Sequence, residues 1–304
     1  MKLLARRVVV VTGKGGVGKS LVSALLAVRA ARAGQRVVLC ETNGATRAAA
    51  LLGVATATYT PTPTPAGPWC CSITSQASLE DYLTRVLRYK AVYEAVFRNR
   101  VMGPFMDAVP GLHDMIQLGR VWDLERERLE DRPAWDLLVV DAPATGHGLG
   151  MLGSPRAMMD MTVTGPFHDN AGLIASLFED AARTGLVLVS TPEEMPLRET
   201  LDLWQRLGKG RDLVLGVVLN RVEPPLLPAE ASWTETRSVL ASGASPAGLR
   251  VLQEVDARLA RVAAAEVARG RLAALGAPML ELPEMPTGPR NADLQGLADR
   301  MGPA

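Results

Sequence analysis

Residues 13–20, Gly13-Lys14-Gly15-Gly16-Val17-Gly18-Lys19-Ser20, constrain this chain more than any other stretch. They fit G-x-x-x-x-G-K-[ST], a loop that cradles nucleotide phosphates. Arg6-Arg7-Val8-Val9-Val10-Val11 before it reads as a short buried strand, and Leu21 to Ala33 after it as an Ala/Leu/Val-rich helix. Glycines at 13, 15, 16 and 18 let the backbone curl so that successive N–H groups, through Val17 to Leu21, face the phosphates. The helix N-terminus adds partial positive charge there. Lys19 is placed to neutralise the β- and γ-phosphates, and Ser20 to ligate Mg²⁺. A glycine turn matching by accident is the plain alternative. Strand, loop, Lys-Ser pair and helix in the right order weigh against it.

Lysine occurs at only five positions (2, 14, 19, 90 and 209), and two of them lie in this loop. Lys14 stands where the loop pattern asks for nothing. The K-G-G-x-G-K-[ST] form resembles the deviant phosphate loop of the group containing MinD/ParA proteins, nitrogenase iron protein and ArsA-like ATPases. In that group the first lysine reaches across a dimer interface to the partner's nucleotide. The resemblance therefore implies an ATP-dependent dimer with Lys14 acting in trans.

The chain has 304 residues, is 48% hydrophobic and 21% charged, and carries a formal net charge of +1. That composition buries a substantial core, and no overall field attracts nucleic acid or anionic lipid. Aromatics at 4% argue against base-stacking platforms, so no nucleic-acid partner is expected. Cys40, Cys70 and Cys71 form no C-x-x-C and read as buried strand residues in a reducing compartment. No stretch approaches the roughly 18 to 20 apolar residues of a membrane span. A cytoplasmic location is expected.

Further apolar runs follow at Arg36–Cys40, Trp69–Ile73, Trp135–Asp141, Leu186–Ser190, Asp212–Leu219 and Ala277–Leu282. Strands alternating with helices predict an α/β fold, a doubly wound parallel sheet of about seven strands. Ligands bind such sheets at the carboxyl ends of the strands, where Asn43, Asp141, Ser190 and Asn220 converge. Residues 1–304 read as one domain, with residues 78–130 as a helical insertion of about three helices. Tyr59 to Pro68 is a proline-rich surface loop. Val163 to Ala171 reads as a mobile loop, Glu230 to Ser245 as a loop or short helix, and Ala247 to Leu275 as a long helix, either continuous or broken at Gly270. The charges at Glu125-Arg126-Glu127-Arg128 read as a solvated helix face.

Asp141-Ala142-Pro143-Ala144-Thr145-Gly146-His147 is the second informative stretch. An aspartate following a buried strand can hold Mg²⁺ beside Ser20, and Gly146 lets the next loop approach a γ-phosphate. The run Asp-x-Pro-x-Thr-Gly-His is similar to the switch II signature of ArsA-like ATPases, which include the arsenite-efflux ATPase and the targeting ATPase for tail-anchored membrane proteins. The similarity continues through Gly148 to Leu152, and Thr191-Pro192-Glu193 to Thr200 resembles the family's strand-to-helix segment. The resemblance implies ATP and Mg²⁺ as ligands. It makes Lys14, Lys19 and Asp141 catalytic, Ser20 and Asp141 the metal ligands, and Thr145, Gly146 and His147 the γ-phosphate sensors. It further implies that Asn220 recognises adenine, unless that residue serves only a turn. The loop Leu282-Pro283-Glu284-Met285-Pro286 would close over the base, adding Pro283 and Glu284 to the nucleotide contacts.

Two departures stand out. Where the family has Asp-Pro-Ala-His after the second strand, this chain has Asn43-Gly44-Ala45-Thr46. Asn43, a candidate catalytic residue, can hydrogen-bond the attacking water but cannot take its proton. Hydrolysis is then slowed or lost, unless Glu41 or a dimer partner substitutes. The paired cysteines that clamp a zinc ion between targeting-ATPase subunits are also missing.

Seven of twelve methionines lie between 102 and 161 (Met102, Met106, Met115, Met151, Met158, Met159 and Met161). They either fill a helical core or line a groove for an apolar client, as in the targeting ATPase. The reading placed first is a dimeric ATP-driven switch whose helical subdomain engages a hydrophobic client or a membrane transporter subunit. Second is a weakly hydrolytic subunit of a heterodimer of related ATPases. Third is a ParA/MinD-like positioning ATPase.

Overall fold

The computed structural model describes residues 5–42, 44–87, 108–226, 232–285, 288 and 290–300. Among them, eight strands form one sheet in the order β10-β9-β8-β1-β7-β2-β4-β3. The strands are β1 (Val8–Gly13), β2 (Val37–Thr42), β3 (Thr62–Pro63), β4 (Trp69–Ile73), β7 (Leu137–Ala144), β8 (Thr184–Ser190), β9 (Val214–Val222) and β10 (Met279–Pro283). Seven pair in parallel, and the two-residue β3 closes one edge antiparallel to β4. β5 (Arg128–Leu129) and β6 (Arg132–Pro133) form a separate small hairpin.

Unbroken apolar runs suit these strands because both faces of the sheet are covered. Val9 and Val11 of β1 face one core with Leu137 and Val139, whereas Val8 and Val10 face the other with Leu138 and Val140. The first face carries α1 (Lys19–Arg32), α2 (Arg47–Leu51) and, at the carboxyl end of the chain, α10 (Asn291–Arg300). α1 is buried at every position from Leu21 to Ala30, which explains why its sequence is apolar all round rather than on one stripe.

The opposite face carries α3 (Ser75–Leu87), α4 (Leu112–Arg126), α5 (Thr145–Met161) and α6 (Pro166–Phe178). Beside them lie α7 (Glu194–Leu207) and α9 (Pro246–Ala273), preceded by α8 (Trp233–Ala241). The strand order reverses at β7. The chain runs outward from β1 through β2 to β4, returns to β7 between β1 and β2, then proceeds through β8 to β10 on the other side. Such a switch point opens a crevice at the carboxyl ends of β1 and β7.

Several expectations change. Val163 to Ala171 is not a loop throughout. Gly165 and Pro166 open α6, because proline at the first helical position has the right φ and gives up only an N–H that has no partner there. Gly270 does not break α9, and Ser245 caps that helix by accepting the Gly248 N–H at 3.1 Å. β7 continues past Asp141 to Ala144, so Thr145 begins a helix directly. The charge run at 125–128 is not simply solvated. Glu125 is buried and accepts from Arg7 at 3.3 Å and Arg183 at 2.9 Å, and Glu127 accepts from the Trp135 indole at 3.2 Å. Of the expected insertion, α3 and α4 are described, whereas Met102 and Met106 lie outside the described residues. Met115, Met151 and Met158 are buried core residues, and Met161 is exposed.

Candidate functional site

The loop after β1 adopts the curled form that its glycines permit. Gly16 and Gly18 sit at φ 88° and 95°, left-handed backbone that side chains disfavour. Gly18 is also the N-cap of α1, and a Cβ there would run into the side-chain amide of Asn220. Gly15 and Gly16 form the exposed crest, whereas the side chains of Val17 and Leu21 point into the core. Those two residues therefore offer only backbone N–H groups to a ligand. Lys19, first residue of α1, turns back over the loop, and its Nζ donates to the Lys14 carbonyl at 3.2 Å. Burial lowers its pKa, the Asp141 charge opposes that, and the Arg47 charge reinforces it.

Asp141 meets this loop from the adjacent strand. Its Oδ2 accepts from Ser20 Oγ at 2.6 Å and its Oδ1 from Ser23 Oγ at 3.2 Å. Thr42 Oγ1 donates to the Asp141 carbonyl at 2.8 Å and ties β2 to the same point. Burial raises the carboxyl's pKa, and the two serine hydroxyls and the Lys19 and Arg47 charges work against that rise. One hydroxyl and one carboxylate oxygen already in contact are hard oxygen donors that would suit Mg²⁺. Among the described residues no cluster of three or more His, Cys, Asp or Glu side chains could hold a metal on its own.

Glu41 is Asp141's partner across the β2–β7 ladder. It is fully buried, and its two oxygens accept the N–H groups of Ala48 at 2.7 Å and Ala49 at 3.1 Å. Burial, the dominant cause, and the neighbouring Asp141 push its pKa up to about 7 against the backbone hydrogen bonds. Both oxygens of this buried carboxyl hold the start of α2. Asn43 lies outside the described residues, and so do the side chains of Thr145 and His147, which flank Gly146 in the first turn of α5. α5 nevertheless starts hard against the site. A Cβ at Gly148 would collide with Thr12 Oγ1 at the end of β1.

Asn220 lies within β9, not after it. Its Nδ2 donates to the Val17 carbonyl at 2.8 Å, and its Oδ1 is buried with no partner among the described residues. Pro283 pairs with Val222 across β9 and β10, and the Glu284 N–H donates to the Val222 carbonyl at 3.0 Å. Both residues therefore stand on the same edge as Asn220. Beside them opens a cleft of about 780 Å³ lined by Pro192, Glu193, Arg221, Glu223, Arg258 and Glu284.

Lys14 Nζ pairs with Glu199 Oε1 of α7 at 2.9 Å within its own chain. Ser23, Arg47 and Glu199 escaped the sequence reading. Ser23 was legible in principle, as a polar residue one helical turn after Ser20 on an otherwise apolar helix. Arg47 and Glu199 carry no local signal, since only strand order brings them to the loop.

A family model described as anion-transporting ATPase, the ArsA ATPase model, matches residues 6–165, which include the phosphate loop and Asp141. The chain is 28% identical over 328 residues to ATPase BagA of Mycobacterium tuberculosis, covering 99% of this chain and 94% of that relative. A Chlorobaculum tepidum protein carrying the name arsenical pump-driving ATPase is 28% identical over 158 residues, covering 50% of this chain and 36% of that protein. A Halobacterium salinarum protein of the same name is 26% identical over 216 residues, covering 65% and 33% respectively. With the matched segment spanning more than half of its length, the chain belongs to the ArsA ATPase family.

Proposed function

We propose that this ATPase is a nucleotide-driven switch that pairs two related subunits around ATP and Mg²⁺. The observation that carries the reading is the 2.6 Å contact between Ser20 Oγ and Asp141 Oδ2 beside Lys19, at the mouth of a left-handed glycine loop. Loop N–H groups and Lys19 bind the phosphates, and Ser20 and Asp141 hold the metal. Mg²⁺ there would neutralise charge developing on the phosphates. The Asn220 Oδ1, without a partner among the described residues, would accept from the amino group of adenine, and the neighbouring cleft has room for base and ribose. Lys14, released from Glu199, would reach the partner's nucleotide. Thr145, Gly146 and His147 at the start of α5 would pass γ-phosphate loss to the helical layer.

A hydrophobic client or a transporter subunit suits that layer. Met161, Val163, Phe167 and Leu173 are exposed there. A cytoplasmic setting fits three unbridged cysteines, and among the described residues no helix is long and apolar enough to cross a membrane. The weakly hydrolytic heterodimer subunit remains the second reading. It is favoured by Asn43 in place of an aspartate and by Glu41, whose oxygens are both engaged.

The test is steady-state ATP turnover of the purified chain, with oligomeric mass read with and without a non-hydrolysable ATP analogue. Turnover with an ATP-dependent dimer that Lys14→Ala abolishes supports the self-sufficient switch. Tight binding without turnover or dimerisation supports the heterodimer subunit. Unchanged ATP binding in Lys19→Ala would overturn both.

A further inference from the structure

Arg47 is the first residue of α2, and the functional reading so far gives it no task. Its place in space is fixed from two sides. Glu41, immovable in the core, binds the N–H groups of Ala48 and Ala49, and the Arg47 N–H adds to the same carboxylate. This pins the point from which the Arg47 side chain leaves the backbone. Glu41 also sits beside Asp141 in the ladder, and Asp141 holds Ser20 and Ser23 of the phosphate-loop helix. The chain of contacts from Arg47 to the loop therefore passes through two buried carboxylates on neighbouring strands, an arrangement with little slack.

The electrostatics agree with that placement. The Arg47 charge acts on both Lys19 and Asp141. Arg47 itself is exposed, and among the described residues no carboxylate pairs with it. Two cations, Lys19 and Arg47, are thus held near one carboxylate, and Lys19 spends its ammonium on a backbone carbonyl. Like charges kept together are unfavourable unless an anion completes the group. An anion seated in the glycine loop would do so.

We propose that Arg47 is a catalytic residue of ATP hydrolysis: from the start of α2 its guanidinium contacts the γ-phosphate and stabilises the charge that develops on it. Glu41 is its positioning residue. In this step the oxygen of water bonds to the γ-phosphorus. The bond from that phosphorus to the β–γ bridging oxygen breaks, and the electron pair stays on ADP. Of the two water protons, one stays on the inorganic phosphate and the other leaves to solvent. Phosphoryl transfer depends on charge stabilisation and positioning more than on a strong base. A planar cation of this kind lies in the same segment where Asn43 replaces the usual aspartate. This proposal rests on the assignment of ATP to the phosphate loop.

The experiment compares wild type, Arg47→Gln and Arg47→Lys by equilibrium binding of Mg²⁺–ADP and of Mg²⁺–ADP with aluminium fluoride, a mimic of the transferring phosphoryl group. Turnover is measured alongside. Arg47→Gln is expected to leave ADP affinity within about twofold, to weaken the aluminium fluoride complex by at least about tenfold and to lower kcat by a similar factor with KM little changed. Arg47→Lys recovers part of the loss. The proposal is overturned if Arg47→Gln weakens both complexes equally or neither. Because the aluminium fluoride arm needs no turnover, it decides the matter even for a chain that hydrolyses slowly. Lys19→Ala serves as the separate control: unchanged ADP affinity there would sink the nucleotide-site assignment, not the role of Arg47 alone.

Discussion

Asn220 on β9 donates its Nδ2 to the carbonyl of Val17 in the phosphate loop at 2.8 Å, joining residues 203 positions apart. The bond is buried, and it holds the loop carbonyl away from the phosphate site so that the loop N–H groups stay turned towards it. Asn220 is therefore a brace for the loop even before any base arrives.

Replacing Asn220 by Ala should weaken ATP affinity and lower stability together. An unsatisfied buried carbonyl costs roughly 1–3 kcal/mol. Asn220→Asp should be worse than Ala, because a carboxylate would face the Val17 carbonyl oxygen. Isothermal binding and denaturant unfolding of both variants check this. Equal stability of all three proteins would show that the brace carries no weight.

Gly18→Ala combines two faults, a side chain in left-handed backbone and a Cβ against Asn220. The first alone costs about 1–2 kcal/mol. ATP affinity is expected to fall at least about tenfold, roughly 1.4 kcal/mol, while the rest of the chain stays folded by circular dichroism. Retained affinity would mean that the loop can be rebuilt around an alanine.

Lys14 is held by Glu199 in cis, through a pair in which neither side chain is fully buried. Such pairs contribute about 0–1 kcal/mol. Glu199→Gln should therefore leave the Tm nearly unchanged and increase the dimer fraction formed with a non-hydrolysable ATP analogue, read by light scattering. A smaller dimer fraction would show that Glu199 presents Lys14 to the partner instead of restraining it.

Glu41 predicts the direction of pH dependence. Its carboxyl binds a proton more tightly in the native chain, with a pKa of about 7, than in the unfolded chain. Its contribution is therefore greatest below pH about 4, falls as pH rises through the interval up to about 7, and is constant above that. Unfolding free energies measured in Mg²⁺-free buffer should show this decline in wild type and a flatter profile in Glu41→Gln. A wild-type profile that rises over the same interval would refute the assignment.

Local chemistry made several features legible in the sequence. Glycine spacing with Lys19 and Ser20 identified the loop, because the curled backbone needs residues without a Cβ within one short segment. Unbroken Val/Leu runs identified the parallel strands, because both of their faces are buried. The Asp141 stretch was legible because a carboxylate near the carboxyl end of such a strand stands at the ligand edge. Tertiary structure decided how two adjacent acidic strand residues divide their work: Asp141 meets the serines of α1, while Glu41 turns to the N-terminus of α2. It also decided that Lys14 folds onto Glu199, that Asn220 reaches Val17 and that Glu125 is an anchor rather than a solvated charge. Apart from the Ala48 and Ala49 N–H groups, only seven and eight positions beyond Glu41, each of these partners comes from a distant part of the chain. Short-range periodicity specifies an element and its buried face, but the strand order that places β7 between β1 and β2 determines which side chains meet.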